Sequence, residues 1–447
     1  MPSTLRCHCG AEPVDAVLPF TCSQRGKDDR EHVLVRSLSE PMALPGGAPS
    51  GNPFLRYRRR LHAHTRALAA GWDDARFAAL VDRVDAAVAA VDGGGFRVTP
   101  CAEQPALAAA CGHGGSLWVK DETGNVSGSH KARHLMGVAL HLEVAGVPRD
   151  TPLAIASCGN AALAAAVVAK AVQRPLQVFI PPDASPAVVA RLEALGAASN
   201  VCERQPGLPG DPCYHGFVEA VQGGALPFTC QGPDNGLTIE GGQTLAWELV
   251  EQLRAQPLDR LFVQVGGGAL ASAVAAGLQE AFEAGDLPQL PRLHLVQTQA
   301  AWPLARATLR LVDHIAQRME LPTGFQDRAD VLASAFDGPV VQDALAWARS
   351  ARSWLMWPWD DAPHSVAHGI LDDETYDWYA AAVGMLRSGG WPLVVTEDQL
   401  IRAQRLARAH TPIPVDPTGS SGLAGLLELA GTMPGERVGA LFTGVER

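Results

Sequence analysis

Leu117-Trp118-Val119-Lys120-Asp121-Glu122-Thr123-Gly124-Asn125-Val126-Ser127-Gly128-Ser129-His130-Lys131-Ala132-Arg133 is the stretch from which the fold is read. An apolar strand at Leu117–Val119 gives way to a turn of small residues, and a helix is expected over His134–Val144. Lys131 stands at the mouth of that helix, where the macrodipole disfavours a cation. The same strand-turn-helix unit recurs along the chain. Further strands are expected at Leu153–Ala156, Gln177–Ile180, Leu261–Val265, Leu293–Gln297 and Gly439–Phe442. Alanine-rich helices are expected at Ala161–Val172, Pro186–Leu195, Gln243–Leu253 and Leu270–Ala284. Such alternation is the signature of an α/β protein with parallel sheet. Pro181-Pro182 stops the strand before it, since proline cannot donate to a ladder.

Outward from this region, 447 residues can bury a large core and suggest more than one lobe. The expected organisation is an N-terminal arm and linker over 1–53, a large domain from 54–133 with 231–447, and a small domain over 134–230. A helix is expected from Trp72 to Val91, with Phe77, Leu80, Val81, Val84 and Val88 on one face and Gly93-Gly94-Gly95 ending it. The net charge of −11 offers no electrostatic footprint for nucleic acid or anionic lipid. The run Arg56 to Arg60 is the local exception and is read as a solvated helix face. No apolar stretch approaches a membrane span, and the start of the chain lacks the basic-then-apolar layout of a signal peptide. With nine cysteines and no such signal, reduced thiols and a cytoplasmic location are expected. Cysteines cluster only at Cys7-His8-Cys9-Gly10 and Cys22, like a zinc ribbon that has lost its second pair. His8 or His32 could complete four ligands, but the reading taken is a vestigial arm with no metal.

Four features carry chemistry. An amine at Lys131 can form a Schiff base with an aldehyde cofactor, although a plain surface lysine is the bland alternative. Gly266-Gly267-Gly268, followed by Ala269 and Leu270, ends an apolar strand and opens a helix; free N–H groups there can cradle a phosphate, or the glycines merely form a tight turn. Asn160, after Ser157 and Gly159, sits at another strand-to-helix junction and could hydrogen-bond a phenolic oxygen or simply cap the helix. Thr443 ends the last strand, where a hydroxyl can face an unprotonated ring nitrogen.

Together, in this order, these features resemble the fold-type II pyridoxal-phosphate enzymes, the superfamily of tryptophan synthase β chain, cysteine synthase and the serine and threonine dehydratases. The threonine synthase branch is the most similar: its V-K-D-E-x-x-N-P-T-G-S-F-K-x-R motif resembles Val119 to Arg133, and its E-G-x-x-T-x-A-x-E segment resembles Glu240 to Glu248. The resemblance implies an α/β fold of two three-layer αβα lobes and pyridoxal 5′-phosphate as cofactor. It implies that Lys131 is the catalytic Schiff-base lysine and that Asn160 binds the cofactor's O3′. It implies further that Gly266, Gly267, Gly268, Ala269 and Leu270 hold the phosphate and that Thr443 faces the ring nitrogen. Ser129, Ser157 and Gly159 would orient the substrate carboxylate. Val126-Ser127 replaces the motif's Pro-Thr, His130 its phenylalanine, and Cys158 a common serine or threonine. The implied activity is a lyase-type β/γ-elimination or replacement on a phosphohomoserine-type or related amino acid. The alternatives are a serine/threonine dehydratase and a catalytically silent cofactor-binding paralogue. A homodimer acting on a small molecule, with no nucleic acid or membrane partner, is expected. The irregular stretch from Ala307 to Gly390, with His364, His368 and several tryptophans, is expected to be a packed helical excursion or a lid over the substrate.

Overall fold

Strands whose residues are apolar at every position need cover on both faces, and that requirement organises this chain. The computed structural model describes residues 3–204, 210–321, 325–359 and 363–447. Among the described residues the strands form three sheets. A six-stranded sheet is built from β3 (Cys101–Glu103), β4 (Ser116–Asp121), β9 (Arg260–Gln264), β10 (Arg292–Thr298), β11 (Pro392–Val395) and β12 (Arg437–Phe442). Its order is β11-β10-β9-β12-β4-β3, parallel throughout except for the edge strand β3. A four-stranded, wholly parallel sheet has the order β7-β6-β5-β8, from β5 (Leu153–Ala156), β6 (Leu176–Ile180), β7 (Ala198–Val201) and β8 (Leu226–Pro227). The third is an antiparallel hairpin of β1 (Ser3–Cys7) and β2 (Leu34–Leu38).

Alternation along each strand sends side chains to two cores. From β9 and β10, Phe262 and Val296 join a core with Leu423 and Leu426 of the helix Ser421–Leu429. Leu261, Val263, Leu293 and Leu295 face the other way, toward Val274, Leu278 and Met385 of the helices Ala269–Glu283 and Trp378–Ser388. In the smaller sheet Ala154 and Phe179 pack on Phe217 of the helix Pro212–Gln222, while Leu153, Ile155, Val178 and Ile180 join the main core. The chain is therefore α/β, with helices on both faces of two parallel sheets, and the expected core strands lie where the sequence places them.

Parallel strands share a C-terminal edge, and ligands of open α/β sheets bind beyond such edges. β12 lies between β4 and β9, so the ends of all three strands, at Asp121, Gln264 and Phe442, come side by side. The turn before Lys131, the triple glycine and Thr443 follow directly from those ends.

The arginine run departs from its expectation. Arg58–Arg60 forms one short 3-10 turn, and Arg60 is buried against the Trp247 ring and Glu280. Arg56 holds Glu251 through two hydrogen bonds of 2.7 and 2.9 Å, and Arg58 likewise holds Asp74 at 2.8 and 2.6 Å. Arg56, Arg58 and Arg60 each have a carboxylate partner outside the run, so these three are tethers, while Arg59 is exposed as expected of a solvated face.

Candidate active site

The turn before Lys131 is strained locally and braced from the C-terminus. Ser127 has φ +56° and Gly128 φ +66°, and a Cβ on Gly128 would sit 2.4 Å from Val445 Cγ1. Ser129 bridges Gly444, and the His130 N–H donates to the Thr443 carbonyl at 3.2 Å. Lys131 is then the first residue of the helix Lys131–Val144 and is half-buried. Among the described residues its ammonium makes no hydrogen bond or ion pair. The charges it meets are the carboxyls of Asp372 and Asp377. Asp377 is pushed up to about 7, by burial first, and among the described residues its Oδ1 has no hydrogen-bond partner while Oδ2 accepts the Gly232 N–H at 3.1 Å. His130 is buried, and burial followed by the Lys131 charge drives its pKa far down, so its imidazole is neutral at pH 7.

The motif letters around Lys131 converge on one buried network. Arg133 grips Glu122 at 2.7 and 2.9 Å and Glu248 at 2.6 and 3.1 Å. Lys120 donates to Glu248 at 2.6 Å, Thr244 accepts from Arg133 at 3.0 Å, and Asn125 donates to Glu122 at 2.9 Å. Two cations and two carboxylates thus compensate one another with no water exposure, fixing the strand before the turn, the helix after it and the helix Thr238–Gln252. These residues position Lys131; they do not reach the space around its amine.

The triple glycine opens the helix Ala269–Glu283, whose first N–H groups point out of the sheet edge, and Gly268 has φ +97°. A segment distant in sequence, residues 370–377, covers it. A Cβ on Gly266 would meet Asp372 Oδ2 at 2.2 Å and Ile370 Cα at 2.9 Å; one on Gly267 would meet the Tyr376 ring at 3.0 Å. Burial, opposed by Lys131 and more weakly by the Gly267 amide, raises the Asp372 pKa to about 6. A carboxylate therefore stands where these amides offer themselves to an anion.

Asn160 begins the helix Asn160–Ala171, and its Nδ2 lies 2.8 Å from where a Cβ on Gly444 would be, so the two expected site segments meet. Arg447 donates to Asn160 Oδ1 and, at 2.5 Å, to the Ser127 carbonyl. Ser157 accepts a 3.4 Å hydrogen bond from the Gly159 N–H. Thr443 is buried, and its Oγ1 accepts from Gln264 Nε2 at 2.5 Å. Sequence reasoning missed Gln264, Asp372, Asp377 and Arg447. The acidic run from Asp372 was visible but lay about a hundred residues from the glycines it covers. His364 and His368, singled out with the excursion as lid candidates, are both exposed, and within that excursion residues 370–377 approach the glycine loop while the His368 charge acts on Asp416.

A cofactor with an anionic phosphate, a ring nitrogen and an aldehyde fits these groups. The glycine loop already holds an anionic side chain in the fold as it stands. The buried Ser127 Oγ, Ser129 Oγ and His130 Nε2 have no hydrogen-bond partner among the described residues. Residues 93–355 match a family model described as pyridoxal-phosphate dependent enzyme. The chain is 25% identical over 195 residues to the threonine synthase of Methanocaldococcus jannaschii, covering 44% of this chain and 38% of that protein. It is 33% identical over 188 residues to a serine dehydratase-like protein of Rattus norvegicus, covering 41% of this chain and 53% of the relative. The aligned stretch thus spans about half the length of these relatives or less. Among solved structures, maize serine racemase superposes with a TM-score of 0.58 at 19% identity, over 82% of this chain and 93% of that one.

Proposed function

We propose that this chain, which belongs to the pyridoxal-phosphate dependent enzyme family, removes the β-substituent of a small uncharged amino acid and releases a 2-oxo acid and ammonia. Pyridoxal phosphate is the cofactor, and when bound it supplies the electron sink that stabilises a carbanion at Cα. Lys131 would hold it, with the amides from Gly266 to Leu270 on its phosphate, Asn160 on its phenolic oxygen and Thr443 on its ring nitrogen. Because Gln264 already donates to Thr443 Oγ1, the threonine's own hydrogen is left to donate to an unprotonated nitrogen. Ser129, Ser157 and Gly159 would receive the substrate carboxylate. The Lys131 amine, once exchanged for the substrate's, would take the proton from Cα and deliver one to the departing hydroxyl.

One observation supports an uncharged side chain over a phosphorylated one. The carboxylates of Asp183, Asp211 and Asp372 all act on the exposed Cys158 thiol, in the loop that precedes Asn160. Burial first, and then the charges of Asp372, Asp373, Asp211 and Glu374, push the Tyr376 hydroxyl well up. Arg447, the cation at Asn160, is itself faced by Asp416 and Asp92. A phosphate ester carrying nearly two negative charges would enter against this field, whereas serine or threonine would not. The second reading, threonine synthase-like elimination and replacement on a phosphohomoserine-type amino acid, draws on the Val119 to Arg133 motif and on Thr443. Incubation with L-serine, L-threonine and O-phosphohomoserine separates them. A 2-oxo acid and ammonia from serine or threonine are expected. Phosphate release with accumulating threonine would favour the second reading, and a D-amino acid formed without 2-oxo acid would overturn both.

A further inference from the structure

The N-terminal arm gathers three thiols and an imidazole. Cys7 ends β1, and the turn that follows, with Gly10 at φ +83°, brings Cys9 back over it. Cys22 opens the next turn, and His32 stands just ahead of β2. The three sulfurs and a ring nitrogen of His32 all lie within 4.8 Å of one another. Cys9 Sγ is 3.6 Å from Cys22 Sγ, and Cys7 Sγ is 3.6 Å from His32 Nδ1. A tetrahedral zinc with bonds of about 2.3 Å to sulfur and about 2.0 Å to nitrogen sets its ligand atoms about 3.5–3.8 Å apart. A disulfide would need about 2.05 Å. The spacing is that of ligands around a common centre.

The surroundings of these atoms have the same character. His32 Nε2 lies 2.8 Å from Asp28 Oδ1, so the ring's N–H is directed to a carboxylate and Nδ1 keeps its lone pair toward the thiols. Metal-bound histidines are oriented in this way. The Ala11 and Gln24 N–H groups each donate to sulfur at 3.4 Å, to Cys9 and Cys22, from two residues further along the chain. Such bonds favour thiolate over thiol. His8, the other histidine of the cluster by sequence, packs edge-on against Tyr379 at 5.4 Å.

We propose that Cys7, Cys9, Cys22 and His32 form a structural zinc site that fastens the arm to the body. Four protein ligands close the coordination shell, which marks a structural and not a catalytic centre, and three thiolates with one imidazole select zinc over hard cations. The residues beside the ligands show what the metal secures. Arg25 pairs with Asp234 at 2.7 Å and donates to the Tyr214 hydroxyl at 3.1 Å. Glu31 accepts from Trp378 Nε1 at 2.9 Å and pairs with Arg352 at 3.3 Å. Trp378 follows Asp377, which packs over Gly268, so the arm braces the segment that covers the glycine loop.

The test uses the full-length protein, purified reduced from zinc-supplemented medium. About one zinc per chain is expected by elemental analysis, and Co²⁺ added to the chelated protein should give the charge-transfer absorbance of tetrahedral thiolate coordination. Cys22→Ser should lose both. If that variant fails to accumulate, alkylation of the wild-type protein decides. Cys7, Cys9 and Cys22 should resist iodoacetamide until a chelator is added, while the exposed Cys158 reacts throughout. Absence of metal together with absence of the cobalt band would overturn the proposal. So would a mass two hydrogens light from a Cys9–Cys22 disulfide, zinc retained in full by Cys22→Ser, or alkylation of the three arm thiols indifferent to chelation.

Discussion

At the scale of single residues, Thr443 and Asp372 each make a defined demand on the cofactor. Gln264 Nε2 also reaches the carbonyls of Gly419 at 2.8 Å and Leu441 at 3.3 Å, so Thr443→Val leaves that amide paired and the local fold intact. The variant loses only the hydroxyl offered to the ring nitrogen. One such hydrogen bond is worth about 1–2 kcal/mol in a buried site, so the Kd for pyridoxal phosphate, read by absorbance titration, should rise about tenfold. Thr443→Ser should restore most of it. Asp372 acts in the opposite sense, since its carboxyl lies against the Gly266-Gly267 loop that a phosphate needs. Asp372→Asn removes the competing charge, and cofactor affinity at pH 8 should improve about threefold or more, a gain of at least ~0.7 kcal/mol. The wild-type carboxyl, with its pKa near 6, is largely ionised at pH 8 and largely neutral at pH 5.5. The variant's advantage over wild type should therefore shrink as pH falls. A ratio that is flat or grows on acidification would show that Asp372 does not compete with the phosphate.

At the scale of elements, the buried network explains why motif residues well away from the amine belong with it. Burial works to raise the Glu248 pKa, but Arg133 and Lys120 outweigh it and the net direction is down, so Glu248 is ionised. Glu248→Gln keeps the shape and leaves two buried cations against the single carboxylate of Glu122. Removing one partner from such a site costs about 3–5 kcal/mol, which should appear as a lower denaturant midpoint with an unchanged slope. A loss below about 1 kcal/mol would mean that water enters the network. The core strands and their helices were legible because apolar runs bounded by glycine and proline leave few alternatives. β5 and the helix Pro186–Leu195 lie at their expected bounds, and β4, β6, β9, β10 and β12 within two residues. The strands β3, β7, β8 and β11 were not read, being only two to four residues long and lacking a periodic signal of their own. The stretch between Pro303 and Ser388 was expected to be a packed helical excursion and is one, but its individual helices were not placed, for a different reason. The helix Pro303–Met319 buries one stripe and leaves charged residues on the other, and that pattern is diluted by the tryptophan-rich connections around it. At the site, Lys131, the triple glycine, Asn160 and Thr443 each sit at a strand end, where sequence reasoning has a rule to apply. The approach of Asp372 to Gly266 depends on how a long excursion returns to the sheet edge, which no local pattern encodes.

At the scale of the whole molecule, the arm is held to the body by histidines as well as by the proposed metal, and this gives the docking a pH dependence. The rings of His62 and His141 stack at 5.8 Å and 16°, with Ser3 Oγ 3.1 Å from His62 Nδ1 and the Val17 carbonyl 2.8 Å from His141 Nε2. Both are buried. Desolvation, followed by the His141 charge, lowers His62 to about 3; desolvation, opposed by the bond to Val17, lowers His141 to about 4. With folded values below the ordinary 6.5, the neutral rings contribute in full above that pH, and the contribution is lost as pH falls toward 4 and then 3. At pH 5 the deficit is about 2 kcal/mol for each ring, since one pH unit corresponds to about 1.4 kcal/mol. If undocking the arm lets both rings reach water, the full amount bears on that local opening before it bears on global unfolding. Amide exchange in β1 and β2, corrected for intrinsic rates, should lose protection by about tenfold or more between pH 7 and pH 5. The central strands β9 and β12, whose amides exchange only through global opening, should lose a comparable factor from a higher starting protection, because unfolding exposes the same two rings. His62→Asn, which removes the titrating ring, should flatten the arm's pH response by about half. Equal protection of arm and sheet at pH 7 would mean instead that the arm is an inseparable part of the core and opens only when the whole chain does.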